Sequence, residues 1–140
     1  MSIDNRLEEL EEAPNGPIKI VMDARHMLFT DNCFDNVTAF YSFMFMSKSD
    51  YPVVLSEVKR VLKNNGYLYL WEPEIKTANP FITDLEIDAN GIKLSTTYGI
   101  VKEDAFQNAD YFKKLIFKAG FRLVSERSSN LHFYQCWERI

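Results

Sequence analysis

The sequence predicts an α/β fold, in which helices pack on a mainly parallel sheet whose last strand is antiparallel. Three observations predict it. Short runs rich in β-branched and aromatic residues have the length of strands. Two longer segments, residues 51–63 and 106–119, have apolar residues at helical spacing and separate the strand segments, as in layered α/β proteins. The last two strand segments follow each other with no helix between them. The chain has 140 residues, of which 46% are hydrophobic, enough for one domain with its own core.

The N-terminal third contains one short helix and two strands. Residues 4–12 are predicted to be helical, with Asp4 as the cap, and the Pro-Asn-Gly-Pro run at 14–17 ends this helix. Residues 18–22 are rich in branched side chains and predict a strand. Residues 37–45 are nearly all apolar, which predicts a strand covered on both faces.

The rest of the chain continues the alternation of helix and strand. Basic residues lie toward the end of the helix at 51–63, and the Asn-Asn-Gly run at 64–66 stops it. The Asn-Gly pair at 90–91 indicates a hairpin turn. The elements expected after the first helix are a strand at 67–71, a hairpin inserted at 81–101, a helix at 106–119, and strands at 121–126 and 131–137. We therefore expect a single domain over residues 1–140.

Composition and charge exclude several classes of protein. The net charge is −4 with no basic stripe, which argues against nucleic acid as a partner. No apolar run reaches the ~18 residues of a membrane span, and the acidic N-terminus does not resemble a signal peptide. Cys33 and Cys136 are expected to be reduced thiols in a cytoplasmic protein, and the cysteines and histidines lack the spacing of metal ligands.

The most informative stretch is residues 23–35, which follows one predicted strand and opens the next. It begins with Asp23, an acid at the end of a strand, where doubly wound sheets bind their ligands. The stretch closely resembles the middle of class I S-adenosylmethionine-dependent methyltransferases, whose pattern is Asp-Ala-x-x-Leu-Pro-Phe-x-Asp-x-x-Phe-Asp-x-Val. Leu28 replaces the usual proline, and the following residues match in register: Phe29, Asp31, Phe34, Asp35 and Val37.

Two further segments resemble the same family. Residues 55–68 resemble its Leu-x-Glu-x-x-Arg-Val-Leu-Lys-Pro-Gly-Gly-x-Leu pattern, with Asn64 and Asn65 in place of proline and the first glycine. Residues 119–121 resemble the Ala-Gly-Phe that precedes its sixth strand. The resemblance covers residues 18–140 and implies a Rossmann-like methyltransferase fold, S-adenosylmethionine as the cofactor and a small-molecule methyl acceptor.

The resemblance also implies which residues bind the cofactor. Asp23 would accept a hydrogen bond from the adenine amino group, and the Ala24 N–H would serve the adjacent ring nitrogen. Two side chains, Met27 and Leu28, would lie against the adenine face. The cofactor's methionine part would run beside Ala39 and Phe40. From the residues alone, the alternative for Asp23 is a turn acid satisfied by backbone N–H groups, and a core residue is the favoured interpretation of Phe40.

No residue is a strong catalytic candidate. Glu72 lies at the exit of the fifth strand, beside Trp71, and is a weak candidate for a general base or for a group that orients the substrate. A solvated loop carboxylate is the favoured interpretation. We expect His26 and His132 to be exposed or packing residues, and Asp35 to be structural.

The family's glycine-rich cofactor loop is missing from the sequence. None of the five glycines forms a Gly-x-Gly-x-Gly pattern, which the close approach of the chain to the cofactor requires. The second strand is expected to be absent or nearly so. Residues 2–4 faintly resemble its end, which would make Asp4 a ribose-binding acid, although a helix cap is the favoured interpretation. The sequence therefore predicts an incomplete methyltransferase fold: a truncated enzyme, one half of a split enzyme with a complementing chain, or a non-catalytic remnant that serves as a binding or assembly module.

The missing strands have a structural consequence. In the complete fold, the first and second strands stand between the third and the fourth, so their loss exposes apolar sheet edges. We expect either direct pairing of the third strand with the fourth or cover from another subunit, with the hairpin at 81–101 as a candidate for exchange. A homodimer and weak or no binding of S-adenosylmethionine by the chain alone are the resulting predictions.

Overall fold

The computed structural model describes residues 1–13, 15–76, 80–89 and 91–140. Its α-helices are α1 (Leu7–Glu12), α2 (Tyr51–Val61) and α3 (Ala109–Lys118), and a short 3₁₀ helix spans Phe43–Phe45. Its strands are β1 (Ser2–Asp4), β2 (Lys19–Val21), β3 (Phe34–Phe40), β4 (Leu62–Pro73), β5 (Phe81–Ala89), β6 (Ile92–Ile100), β7 (Phe121–Ser128) and β8 (His132–Arg139).

The strands form three sheets. The largest has the order β3-β4-β8-β7, in which β3 and β4 are parallel and β8 is antiparallel to both of its neighbours. The pair β1-β2 is also parallel. The prediction of a Rossmann-like α/β fold with a mainly parallel sheet and an antiparallel last strand is confirmed, although the position of β8 between β4 and β7 makes the largest sheet mixed.

The predicted hairpin is present as β5 and β6. The two strands pair from Phe81↔Ile100 to Ala89↔Ile92, and Gly91 lies in the turn between them. Gly91 in this turn has a φ of +84°, a conformation that glycine adopts without steric cost. Asn90, the other residue of the predicted turn, lies outside the described residues.

The main core lies between α2, α3 and one face of the largest sheet. Alternate residues of β4 point into it, because successive side chains of a strand face opposite sides. Leu68 and Leu70 are fully buried, whereas Tyr67 and Tyr69 on the opposite face are half-buried. The helices contribute these buried residues to the same cluster: Val54, Leu55, Val58, Phe112 and Ile116.

The predicted strand at 37–45 is wrong in its extent and in its burial. β3 ends at Phe40, Tyr41 takes a φ of +46°, and the chain turns into the 3₁₀ helix. The cause lies in β4, because the Glu72 carboxylate accepts the backbone N–H groups of Ser42 and Phe43 and so folds the segment away from the sheet. β3 itself alternates between half-buried and exposed residues rather than being covered on both faces.

The N-terminus also differs from the prediction. Asp4 does not cap the helix, which begins at Leu7. Asp4 ends β1 instead, and its carboxylate accepts the N–H of Arg6 at 2.8 Å. β1 lies parallel to β2 and α1 connects them, so a short strand is present where the second strand was expected to be absent or nearly so.

The sheet is interrupted between β1 and β3. Within the described residues, β1 pairs with β2 and β3 pairs with β4, and neither has a second strand neighbour. The expected direct pairing of the third strand with the fourth, which would be β2 with β3, does not occur in this part of the chain. The interruption matters for the site because the residues implied in cofactor binding lie on both sides of it.

Candidate cofactor site

The residues implied by the family pattern gather beyond the carboxyl ends of β1, β2 and β3. Met22 N donates to Asp4 O at 2.8 Å, which holds the ends of β1 and β2 together. The segment after β2 also meets the segment after β3, since Arg25 Nη1 lies 3.4 Å from Asp50 Oδ2. This edge of a parallel sheet is where α/β proteins bind ligands.

Asp23 is engaged with its own neighbour in the chain. Its carboxylate accepts the Arg25 N–H at 2.8 Å and pairs with Arg25 Nη2 at 2.7 Å. The hydrogen bonds from Arg25 lower the pKa of Asp23, so the carboxylate is ionised at neutral pH. These contacts correspond to the turn acid considered from the sequence. Ala24 follows, and no acceptor for its backbone N–H lies among the described residues.

Met27 and Leu28 have opposite surroundings. Met27 is 7% exposed and belongs to the main core, whereas Leu28 is 78% exposed. Of the two side chains expected at the adenine face, Leu28 is therefore the one open to solvent.

A pair on α2 holds this loop in place. Glu57 Oε2 accepts the Met27 N–H at 2.7 Å, and Arg60 donates to Met27 O and Phe29 O at 2.7 Å each. Arg60 Nε also donates to Glu57 Oε1 at 2.7 Å, and this bond is the main reason that the pKa of Glu57 falls to about 2. The family pattern at residues 55–68 contains both residues as Glu-x-x-Arg, but the pattern alone did not indicate a role for them. Their spacing of three places both side chains on one face of a helix, which was the available signal.

Ala39 and Phe40 end β3. Ala39 is half-buried and packs against the main core. Phe40 stacks on Tyr41 with ring centroids 4.8 Å apart and meets Trp71 edge-on at 5.4 Å. Tyr98 of the hairpin adds a third ring, 6.3 Å from Phe40. Phe40 is 38% exposed, so it belongs to an aromatic cluster at the edge of the sheet rather than to the main core.

Glu72 is fully buried, and the favoured interpretation of it as a solvated loop carboxylate is wrong. One oxygen, Oε1, accepts the N–H groups of Ser42 and Phe43 at 2.8 Å each. The other, Oε2, accepts Met44 N at 3.2 Å and Gln107 Nε2 at 3.1 Å. Burial raises the pKa of Glu72 to about 7, and the hydrogen bonds only partly oppose the rise. The carboxylate therefore holds the turn after β3 against the loop before α3.

The other singled-out residues lie outside this arrangement. His26 is exposed, and His132 packs beside Trp71 with ring centroids 5.5 Å apart. Asp35 is exposed and forms an ion pair with Lys63 at 2.7 Å. Among the described residues, no group of three or more His, Cys, Asp or Glu side chains is arranged to hold a metal ion. No helix in the described part of the chain is long and apolar enough to cross a membrane.

Comparison with known proteins agrees with the resemblance found in the sequence. Residues 2–70 match the family model of a methyltransferase domain. This match runs from β1 into β4. No curated protein matches the chain in sequence.

Solved structures share the fold over nearly the whole chain. A Pyrococcus horikoshii protein is 18% identical with a TM-score of 0.71, and the alignment covers 99% of this chain and 70% of that one. A Methanosarcina mazei protein, described as a methyltransferase dependent on S-adenosylmethionine, is 17% identical with a TM-score of 0.65, covering 99% and 80%. A Burkholderia thailandensis N-methyltransferase with bound S-adenosylhomocysteine is 10% identical with a TM-score of 0.59, covering 86% and 50%.

Proposed function

We propose that this chain forms the part of a truncated or split methyltransferase that borders the cofactor's adenine and the methyl acceptor. The premise is that the chain carries a class I S-adenosylmethionine-dependent methyltransferase-like domain. A strand, a glycine-rich loop and a helix from outside these 140 residues complete the enzyme.

The interruption between β1 and β3 carries this proposal. Each of these strands is parallel to its one partner, and each has an unpaired edge within the described residues. A single parallel strand between them would continue both ladders and cover both edges. The sequence has no Gly-x-Gly, and a strand inserted at this place is the one that carries the glycine-rich loop in the family. A second copy of the chain is the alternative cover for β3.

The described residues support a division of roles around the interruption. On one side, Ala24 N–H and Leu28 offer contacts to adenine, and Asp4 at the end of β1 is in the position of a ribose acid. On the other side, Ala39 and Phe40 would border the methionine part. The cofactor supplies an activated methyl group when bound. Asp23, which Arg25 keeps ionised, would at the same time accept a hydrogen bond from the adenine amino group. Met27 would support the same segment from the core.

A binding titration tests this proposal. Calorimetry of the chain with S-adenosylmethionine is expected to show weak or no binding, because half of an enclosed pocket loses far more than half of the affinity. The same titration after fusion to a strand–glycine loop–helix unit from a methyltransferase of known structure is expected to show micromolar binding. In the fused protein, Asp23→Ala should weaken binding by about 1–3 kcal/mol, the cost of leaving a buried polar partner unsatisfied.

Two outcomes contradict the proposal in different ways. Micromolar binding by the pure chain would show that no completing unit is needed. No binding by the folded fusion would remove the cofactor role. The latter result favours the second candidate, a non-catalytic remnant that acts as an assembly module. The hydrogen bonds from Arg25 to the Asp23 carboxylate are consistent with this candidate, because they give Asp23 a structural role without a cofactor.

A further inference from the structure

Two lysine ammonium groups lie over neighbouring aromatic rings at the same edge of the sheet. Lys102, in the segment after β6, places its Nζ 6.0 Å from the centre of the Tyr51 ring and donates to Met46 O at 2.5 Å. Lys48 follows the 3₁₀ helix and places its Nζ 5.3 Å from the centre of the Tyr111 ring. The Tyr51 and Tyr111 ring centres are 6.2 Å apart, so the two cations share one patch.

Among the described residues, one carboxylate lies within 4 Å of either of the two ammonium groups. The Asp104 carboxylate lies 3.9 Å from Lys102 Nζ, and its side chain is 53% exposed. For Lys48, the described residues provide aromatic faces rather than a carboxylate within 4 Å. Burial lowers the pKa of Lys102, Lys48 adds to the fall, and Asp104 and Glu72 oppose it. An oxyanion between the two ammonium groups would relieve their repulsion and the cost of burying Lys102.

The position of the patch is that of a ligand site rather than of a remote surface. Met46 and Lys48 follow β3, and residues 102–107 are tied to the end of β4 because Gln107 Nε2 donates to Pro73 O at 3.1 Å. Both segments therefore lie beyond the carboxyl ends of parallel strands. Phe106 is 46% exposed, with its ring centre 5.8 Å from Lys48 Nζ, and offers an apolar face to the rest of a ligand.

We propose that Lys48 and Lys102 bind the oxyanion of a small molecule, a carboxylate or a phosphate, whose apolar part lies against Phe106. The assignment of this molecule as the methyl acceptor rests on the proposed function, whereas the oxyanion site itself rests on the patch alone.

Calorimetric titration of the full chain with three probes tests the site. Benzoate is expected to bind saturably, and benzamide, which has nearly the same shape without the charge, is expected to bind at least about tenfold more weakly. Inorganic phosphate distinguishes the two sources of the oxyanion: binding tighter than that of benzoate indicates a phosphate ligand, and weaker binding indicates a carboxylate. Equal binding of benzoate and benzamide, or no saturable binding of either anion, overturns the proposal.

Substitutions locate the binding. Lys48→Gln is expected to weaken binding of the preferred anion about tenfold, whereas Lys114→Gln, an exposed lysine of α3, leaves it unchanged. Because Lys102 is largely buried, Lys102→Gln is paired with Lys102→Arg, which keeps the charge and is expected to retain most of the affinity. An equal loss in the Lys48 and Lys114 variants overturns the site. Anion binding does not need the cofactor, so the two proposals can fail separately. A fused protein that binds the anion but not S-adenosylmethionine would refute the proposed function and support the oxyanion site.

Discussion

Glu72 shows how one carboxylate can join two segments that the sequence keeps far apart. It lies on β4, yet it accepts backbone N–H groups from the turn after β3 and an amide from Gln107 before α3. The bonds favour the ionised form, and burial favours the neutral form. Since burial dominates, with a pKa of about 7, the charge on Glu72 changes near neutral pH.

The first prediction concerns the pH dependence of stability. Glu72 has its ordinary pKa of 4.5 in the unfolded chain and a pKa of about 7 in the folded one, so the folded state binds more protons between these values. The free energy of unfolding should therefore fall as the pH rises from about 4.5 to about 7, by at most about 1.4 kcal/mol per unit. Urea unfolding of the wild type and of Glu72→Gln at pH 5, 6, 7 and 8 measures the difference, which should shrink with rising pH. Parallel curves for the two proteins would contradict the assignment.

The second prediction concerns the pair on α2. Arg60→Lys keeps the charge but cannot reach Met27 O, Phe29 O and Glu57 together, because lysine lacks the planar fork. We expect a loss of about 1–2 kcal/mol in the free energy of unfolding and faster hydrogen exchange at residues 27–31. Arg122→Lys is the control, since the Arg122 side chain is 67% exposed and pairs with a single carboxylate, that of Glu138. Unchanged exchange in the Arg60 variant would show that the loop does not depend on this contact.

At the scale of elements, the third prediction separates two glycines of the hairpin. Gly91→Ala forces a side chain into a φ of +84° and should lower the free energy of unfolding by about 1 kcal/mol. Gly99→Ala is the matched control, because its new Cβ would meet Ile82 at an ordinary 3.6 Å and its φ lies outside the left-handed region. Thermal unfolding of both variants compares them directly, and equal losses would mean that the turn conformation is not what Gly91 provides.

Elements whose signal is local were predictable, and those set by distant contacts were not. The helix predicted at 51–63 is present as α2, but it ends at Val61 with Leu62 already extended. The Asn-Asn-Gly run predicted to stop it therefore lies within β4, where Asn65 has a φ of +62°. The strand at 37–45 failed because apolar content does not reveal that Glu72, about 30 residues later, binds the backbone of Ser42 and Phe43. The family pattern singled out residues 23–35, but it gave no role to Glu57 and Arg60, whose contacts with Met27 appear only in three dimensions.

At the scale of the whole molecule, the interrupted sheet is the dominant feature. The sequence predicted that strands are missing, and within the described residues β1 and β3 each pair along one edge only. The two strands with an unpaired edge differ in length. β1 has three residues, whereas β3 has seven and ends in the partly exposed Phe40. A long unpaired edge recruits another strand more readily than a short one.

The last prediction is that the isolated chain self-associates through the free edge of β3, most simply as a two-fold dimer. In a closed two-fold dimer, β3 of one copy pairs with β3 of the other. The free β3 edges of both copies are then covered, and no further chain can add there. Light scattering at micromolar concentration should give a mass near twice the single-chain 16.4 kDa.

Substitutions on the two outer strands of the largest sheet assign this interface. Thr38→Lys places a charge on an exposed position of β3 and should return the mass to that of one chain, because charged edge strands resist pairing. Val124→Lys makes the same change on β7, the opposite edge strand, at a side chain that is 52% exposed, and should leave the dimer intact. A single-chain mass for the wild type would contradict the dimer, and loss of the dimer only in the Val124 variant would move the interface to β7.

If the dimer forms at β3, a completing strand must displace it. The fused protein described above should then be monomeric, which links the oligomeric state of the chain to the repair of its cofactor site.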